Sequence, residues 1–378
     1  MEKLKLFIMA AEKSGDSHAA ELVEALADRY ELTLTGTGGP ALKRLGQTQL
    51  YNVNDLSVIG LDEVLRKLRF LFKVRDRLVL ELQENRPDAV ILVDYPGFNL
   101  RFAKEVKKLG IPVIFFISPT FWAWNYKRVY KLRDYCDLVI CIYPFEEDIL
   151  RKEGVNAKYV GNPLKKQIKF KCADRAEFLS KGGFAPDAKI IGLLPGSRRR
   201  EIRSLLPVMV SAAASLPDFE FVLGAAEGVD ADFIKEKIKG TKIRYAENLT
   251  HDIMKYSDLL WVCSGTATLE AAIIGTPLIL MYKVGLMTYW IGRMVYRLKY
   301  IGMPNIIMNR PVIPELMQND ATAFNLVKFT DKILADYETV KHGLKEVGEY
   351  FPDTDAAHTA AEEIYSFMEK TVRENSAK

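Results

Sequence analysis

Two strings in the second half of the chain, Leu194-Pro195-Gly196-Ser197-Arg198 and Ser264-Gly265-Thr266-Ala267-Thr268-Leu269-Glu270, combine residue types that suit a nucleotide diphosphate. Small residues let backbone N–H groups approach an anion, the N-terminus of a following helix adds partial positive charge, and Arg198 can neutralise the remainder. Glu270 falls about a turn and a half into its helix, where a carboxylate can accept both hydroxyls of a ribose, as acidic residues do in dinucleotide folds. Singly, each string is ordinary turn and capping chemistry, and Glu270 an ordinary solvated carboxylate. Their pairing on neighbouring units points to an activated, phosphate-bearing donor.

The first half supplies groups for an acceptor. Asp94 follows directly on the apolar run Ala89-Val90-Ile91-Leu92-Val93, which puts a carboxylate where a buried parallel strand leaves its sheet. Partial desolvation there raises a carboxyl pKa and lets it take a proton from an attacking hydroxyl; the bland alternative is a cap on a helix over Asn99–Leu109. After the first strand, the turn from Ala10 to His18 either caps its helix through Ser14 or Asp16, or lines the cleft with Glu12, Ser14 and Asp16 holding sugar hydroxyls or phosphate. His18 receives no catalytic role. The loop Ile117–Trp124 gathers Phe121, Trp122 and Trp124, either as a face for sugars or acyl chains or as an aromatic plug between domains.

Presenting these groups takes strand ends. Strand-like runs alternate with helical patterns: Leu4–Met9, Glu31–Thr35, Ala89–Val93, Val113–Ile117 and Leu138–Ile142, then Ile190–Leu194, Glu220–Leu223, Leu259–Cys263 and Leu278–Met281. Such alternation predicts parallel sheets with crossover helices, in an α/β fold of two doubly wound, Rossmann-like domains facing across a cleft that holds the ligand. A polar, lysine-rich interval from Lys165 to Asp187 separates the halves, giving an N-terminal domain over 1–164 and a C-terminal donor domain over 165–351. The last helix, with Ala360, Ile364, Tyr365 and Met368 as its apolar face, is expected to return from about 352–378 to pack on the first domain.

Two further helices mix apolar and basic faces. Leu61–Leu82 carries Leu61, Leu65, Leu68, Phe72 and Val79 opposite Arg66, Arg69, Lys73 and Arg77, with Phe70, Leu71 and Val74 widening the apolar arc; Leu286–Lys299 carries Trp290 among other aromatics beside Arg293 and Arg297. The pattern fits peripheral contact with an anionic membrane or an acyl chain, against the alternative of ordinary surface helices.

With 378 residues, 49% of them hydrophobic, and a net charge of only +4, the chain suits two globular domains and gives no reason to expect nucleic acid. Cys136, Cys141, Cys172 and Cys263 have neither zinc-ligand spacing nor a disulfide framework, which fits a reducing compartment. The N-terminus lacks the apolar core of a signal peptide, and no uncharged run reaches the roughly 18 residues of a bilayer span. A cytoplasmic, peripheral protein is expected. The pairs Asp230/Asp232 and Asp353/Asp355 have metal-ligand spacing but polar, capping-type surroundings, so no metal or other cofactor is expected.

In order along the chain, Glu12-Lys13-Ser14-Gly15-Asp16, Gly38-Gly39-Pro40, Ile59-Gly60-Leu61-Asp62-Glu63-Val64-Leu65, Val93 to Leu100, Ser118-Pro119 with Trp122-Ala123-Trp124, Pro144-Phe145-Glu146, both strings above, Met303-Pro304-Asn305 and Val312 to Leu316 are similar to lipid-A-disaccharide synthases, glycosyltransferase family 19. The resemblance implies a GT-B fold and inverting transfer of 2,3-diacylglucosamine from its UDP derivative to 2,3-diacylglucosamine 1-phosphate (lipid X), on the cytoplasmic face of the inner membrane. It implies Asp94 as base, Arg198 as a required arginine and Asn305 as a required asparagine near the donor; the candidate donor contacts are Gly196, Ser197, Arg198, Ser264, Gly265, Thr266, Ala267, Thr268 and Glu270, and the candidate acceptor contacts Glu12, Ser14, Gly15, Asp16, Asn99 and Trp122. A homodimer is compatible with it, though nothing in the sequence requires one. Ala11 stands where the family usually has glycine, and Asn162 where it usually has histidine, so no proton transfer belongs to that position. The rival readings are a GT-B enzyme using UDP-N-acetylglucosamine without lipid, an epimerase or peptidoglycan-type transferase, and a non-catalytic nucleotide-sugar or lipid-binding protein.

Overall fold

The computed structural model describes residues 2–56, 64–225, 229–285 and 298–376. The chain folds as two compact units, one of Met1–Pro163 with Asp353–Lys378, the other of Leu164–Pro352.

The first unit is built on β1 (Glu2–Ala10), β2 (Tyr30–Gly38), β3 (Thr48–Asn52), β4 (Ala89–Val93), β5 (Val113–Phe116), β6 (Leu138–Cys141) and β7 (Ala157–Tyr159). They lie in the order β3-β2-β1-β4-β5-β6-β7, every pairing parallel. All five residues of β4 are buried because helices cover both faces of a parallel sheet, which is why this strand reads as an unbroken apolar run. Alternate residues of β1 feed two cores: Leu6, Ile8 and Ala10 face the helix Lys13–Leu26, while Phe7 and Met9 pack with Val74, Leu78 and Phe102. The terminal helix Ala356–Ser376 closes the first of these cores through Ala360, Ile364, Tyr365 and Met368. Its Tyr365 hydroxyl donates to the carbonyls of Ala25 and Leu26 at 2.8 and 3.1 Å.

The second unit repeats the plan with β8 (Ile190–Leu194), β9 (Glu220–Gly224), β10 (Ile243–Ala246), β11 (Leu259–Cys263), β12 (Leu278–Tyr282) and β13 (Glu315–Met317), in the parallel order β10-β9-β8-β11-β12-β13. Trp261 is fully buried at its centre, its ring tilted by 46° against Phe221 and its indole N–H donating to Thr330 Oγ1 at 3.1 Å. Each sheet has one switch point, where strand order reverses: between β1 and β4, with Ala10 opposite Val93, and between β8 and β11, with Leu194 opposite Val262. In open α/β sheets the crevice beyond the strands at such a point is where ligands bind.

Among the described residues no helix is long and apolar enough to cross a membrane. The amphipathic helix of the first unit runs from Val64 to Glu84. The arc expected from its sequence needs correcting: Val74 is fully buried and Phe70 packs edge-on against Tyr51 at 6.2 Å, so these two serve the protein's own core. Leu71 and Phe72 instead line a cavity of about 310 Å³ with Arg75, Tyr95, Phe98, Arg101 and Phe102. The side chain of Leu68, and Trp290 with its segment, lie outside the described residues.

Candidate active site

At the first switch point the chain leaves β4 through a strained turn. Asp94 and Tyr95 both have φ of 45°, the left-handed region that costs a non-glycine residue about 1–3 kcal/mol. Tyr95 occupies the N-cap position of the helix Pro96–Lys108 without a side-chain cap, and the Asp94 carboxylate is not the cap either. What holds the turn is Asn99, whose Nδ2 donates to the carbonyls of Val93 and Asp94 at 3.2 and 2.7 Å. Burial pushes the Asp94 carboxyl above the usual range, and the Glu12 carboxylate across the switch point pushes it further; His18 and Arg128 act in the opposite direction. A half-buried carboxylate that binds a proton more tightly than usual, on a turn held under strain, is suited to accept one from a hydroxyl.

The expected acceptor set divides. Glu12 and Ser14 are exposed beside this turn, with Gly15 buried behind them in the first turn of the helix Lys13–Leu26. Asp16 is not a ligand group: it is 2% exposed and accepts from the backbone N–H groups of Gly39, Ala41 and Leu42, capping the neighbouring helix Pro40–Arg44. The carboxylate comes so close that a Cβ on Gly39 would sit 2.5 Å from its oxygen. Asn99 is likewise 0% exposed and acts on the turn rather than on a ligand. Trp122 is half-buried, packs on Phe145 and Tyr143 at 5.1 and 6.3 Å, and donates its N–H to Glu146 at 2.8 Å. Glu146 is fully buried, and desolvation raises its carboxyl to about 7. Asn162, in the position of the family's histidine, is buried and donates to the Ile142 carbonyl at 3.2 Å.

At the second switch point the two junctions differ. After β8, Gly196 takes a φ of 118°, open to glycine, and lets Glu201 fold back so that Oε2 accepts from Ser197 N and Arg198 N at 3.1 and 3.2 Å. The amides expected to cradle an anion are therefore occupied by the protein's own carboxylate. The Arg198 guanidinium remains 82% exposed, with a 3.5 Å contact to Glu201. After β11, the helix Thr266–Ile274 begins at Gly265 with no side-chain cap, and Gly265 and Thr266 are exposed. Thr268 turns its hydroxyl inward to the Gly265 carbonyl at 2.7 Å, which shapes this turn from within. Of the two junctions it is this one that presents open first-turn amides, with Ser264, Ala267 and Glu270 partly accessible around them.

Asn305, expected near the donor, is 1% exposed and has both polar atoms committed: Oδ1 accepts from Val312 N and Ile313 N at 2.7 and 2.9 Å, and Nδ2 donates to the Ile313 carbonyl and Glu315 Oε1 at 2.9 and 2.8 Å. It shapes the segment before β13 and has nothing left for a ligand. Asp230 and Asp355 accept from helix-start amides, the capping role read from sequence. Sequence reasoning gave no role to Arg128, Glu201 or His251, and named Glu146 only as part of a motif. A glutamate three residues into a helix is a visible capping pattern for Glu146 and Glu201; Arg128 and His251 have no local signal, since their partners are distant in sequence.

Two parallel Rossmann-like units, each with its polar strand ends gathered at a switch point, define the GT-B class of enzymes. Within that class the chain belongs to the lipid-A-disaccharide synthetase family, whose model matches residues 6–351, and it is a glycosyltransferase of lipid A biosynthesis. It is 38% identical over 374 residues to the lipid-A-disaccharide synthase of Myxococcus xanthus (strain DK1622), covering 96% of this chain and 97% of that one. Among solved structures it is similar to the calicheamicin glycosyltransferase CalG4 (TM-score 0.65, 13% identity, covering 97% and 99% of the two chains). It is also similar to the UDP-GlcNAc 2-epimerase from Neisseria meningitidis bound to UDP-GlcNAc (TM-score 0.63, 13% identity, covering 97% and 100%). The fold thus houses transferases and epimerases alike, and it is the family that separates them.

Proposed function

We propose that this chain transfers 2,3-diacylglucosamine from UDP-2,3-diacylglucosamine to 2,3-diacylglucosamine 1-phosphate, releasing UDP and forming the β-1,6-linked disaccharide 1-phosphate. The observation that carries the reading is that both chemical clusters fall at sheet switch points: Glu12 and Asp94 beyond β1 and β4, Gly196–Arg198 and Ser264–Ala267 beyond β8 and β11. The first unit then takes the acceptor and the second the donor. Asp94 removes the proton of the acceptor 6-hydroxyl, whose oxygen attacks the anomeric carbon as the bond to UDP breaks on the opposite face, inverting the centre. Charge developing on the leaving diphosphate is met by the open amides of the helix Thr266–Ile274 and by the exposed Arg198. Glu270 accepts the ribose hydroxyls.

The acyl chains have a place that fits them. The cavity of Leu71, Phe72, Tyr95, Phe98 and Phe102 includes Asp94's neighbour Tyr95, and Arg75 and Arg101, which also line it, suit a phosphate or an anionic headgroup. Exposed Phe72, with exposed Arg69, Lys73 and Arg77 on the same helix, supports peripheral work at the cytoplasmic surface of the inner membrane.

The test is to incubate purified protein in detergent and EDTA with both lipid substrates and to look by mass spectrometry for the disaccharide 1-phosphate. Its appearance establishes the reaction together with independence from added metal. UDP binding without product, even with magnesium, would leave a nucleotide-sugar protein with a different acceptor.

A further inference from the structure

His251 and Glu270 form a pair that no motif announces. His251 lies in the first turn of the helix Thr250–Tyr256, and its Nε2 is 3.7 Å from Glu270 Oε2, the two side chains being 26% and 18% exposed. On the other side of the ring, Nδ1 is 3.2 Å from both the backbone N and the carbonyl O of Lys169. If Nδ1 accepts from Lys169 N–H, the ring proton sits on Nε2, facing Glu270; in the imidazolium, Nδ1–H donates to the carbonyl and Nε2 again carries a proton. The remaining neutral tautomer would set a lone pair against a carboxylate. The facing Glu270 carboxylate correspondingly raises the His251 pKa, against the opposing effect of burial.

The backbone against which His251 leans is itself fastened. Asp252, 1% exposed, accepts from Lys171 N and Cys172 N at 2.9 and 2.7 Å, and the Tyr256 hydroxyl donates to the Cys172 carbonyl at 2.9 Å. His251 therefore bridges a stapled segment and the carboxylate that stands one turn behind the open amides at Gly265 and Thr266. A glutamate on a helix surface has three rotatable side-chain bonds; one gripped from a fixed support has its acceptor oxygens preset.

We propose that His251 is a positioning residue that holds Glu270 in the orientation that accepts the ribose hydroxyls of the donor nucleotide, and so sets the preference of this site for a ribonucleotide over its 2′-deoxy counterpart. The proposal rests on the assignment of the uridine nucleotide to this unit. It is tested with the full-length protein by calorimetric titration of UDP and 2′-deoxy-UDP into wild type, His251→Ala, His251→Gln and Glu270→Gln, each first shown to be folded by circular dichroism. Wild type is expected to prefer UDP on the order of tenfold or more, as for a hydrogen bond to a charged group. Glu270→Gln and His251→Ala should bring the ratio towards one, chiefly by weakening UDP, and His251→Gln, which keeps an N–H donor, should restore part of it. A wild-type ratio in His251→Ala with the ratio lost in Glu270→Gln overturns the role of His251 and leaves the donor site standing. Equal weakening of both nucleotides in His251→Ala marks a general structural effect and also overturns it. Failure of wild type to bind UDP removes the donor assignment itself.

Discussion

Asn99 donates its side-chain amide to the carbonyl oxygen of Asp94 at 2.7 Å and to that of Val93 at 3.2 Å. Two carbonyl acceptors dictate which way the amide faces, and its Oδ1 is left buried without a hydrogen-bond partner. An unpaired buried oxygen is unfavourable, so the gain lies in the turn, where two successive left-handed residues need an outside tie. Asn99→Ala should lower stability by about 1–3 kcal/mol and reduce kcat on the order of tenfold or more through misorientation of Asp94, with UDP affinity unchanged. Urea unfolding and steady-state kinetics together check this; an unchanged kcat would disconnect Asn99 from the base.

Asp94 should behave as a group whose fold works against its own ionisation. Because its folded pKa is raised, activity that depends on the carboxylate is lost as pH falls through a value above the ordinary aspartate range. For stability the same shift has the opposite sense. A raised pKa contributes stability below the unfolded value and loses it as pH rises through the folded value, so at neutral pH the ionised Asp94 is a liability. Asp94→Asn, which tolerates the left-handed backbone, should raise the thermal midpoint at neutral pH while cutting turnover by roughly 10²–10⁴-fold. Differential scanning calorimetry beside the product assay reads both. Near wild-type turnover in the variant would end the assignment of Asp94 as base.

The sequence made the centres of both sheets legible and their margins not. Nine strands were readable as strand-like runs, most of them continuously apolar because helices cover both faces of the interior strands. The four that were not, β3, β7, β10 and β13, are the two edges of each sheet, short and only partly buried, such as Thr48-Gln49-Leu50-Tyr51-Asn52. A similar division holds for the sites. Asp94 could be found because an apolar run ends abruptly in a carboxylate. For Asp16, Asn99 and Asn305, a polar residue inside a motif looks the same whether its atoms face a ligand or are consumed by backbone groups distant along the chain. Val74 fails for a related reason, since periodicity alone cannot say where the apolar arc of a helix passes from core to surface.

Glu146 offers a sharper pH test than Asp94 because it is sealed from solvent. Desolvation raises its carboxyl from 4.5 to about 7, even though the Trp122 indole N–H favours the ionised form. Below about pH 4.5 the folded and unfolded chains both carry the proton, and the contribution is complete. As pH rises towards about 7 the unfolded chain releases the proton and the folded one retains it, so stability falls across this window and levels off once the folded protein ionises too. A shift of that size corresponds to about 3 kcal/mol, and Glu146→Gln, which cannot titrate, should escape the loss. Guanidinium unfolding of both proteins at about pH 5 and about pH 8 should give curves that diverge; parallel curves would show that Glu146 is ionised throughout.

Asn305 separates a residue required by chemistry from one required by architecture. Its side chain makes four hydrogen bonds, two from each polar atom, to Val312, Ile313 and Glu315, and Glu315 in turn accepts from Ile301 N and Gly302 N at 3.0 Å. Removing the amide strands several buried backbone and carboxylate groups at once. Asn305→Ala should therefore destabilise the protein by about 2–4 kcal/mol, allowing for partial rescue by water. Asn305→Asp should do no better, because a carboxylate cannot donate to the Ile313 carbonyl or to Glu315. At temperatures where the variants remain folded, UDP affinity should stay within about threefold of wild type, less than the loss of one hydrogen bond to a ligand would cause. Calorimetric binding beside thermal unfolding decides the matter. Wild-type stability combined with a large loss of UDP affinity would mean that Asn305 leaves its internal partners to reach the donor.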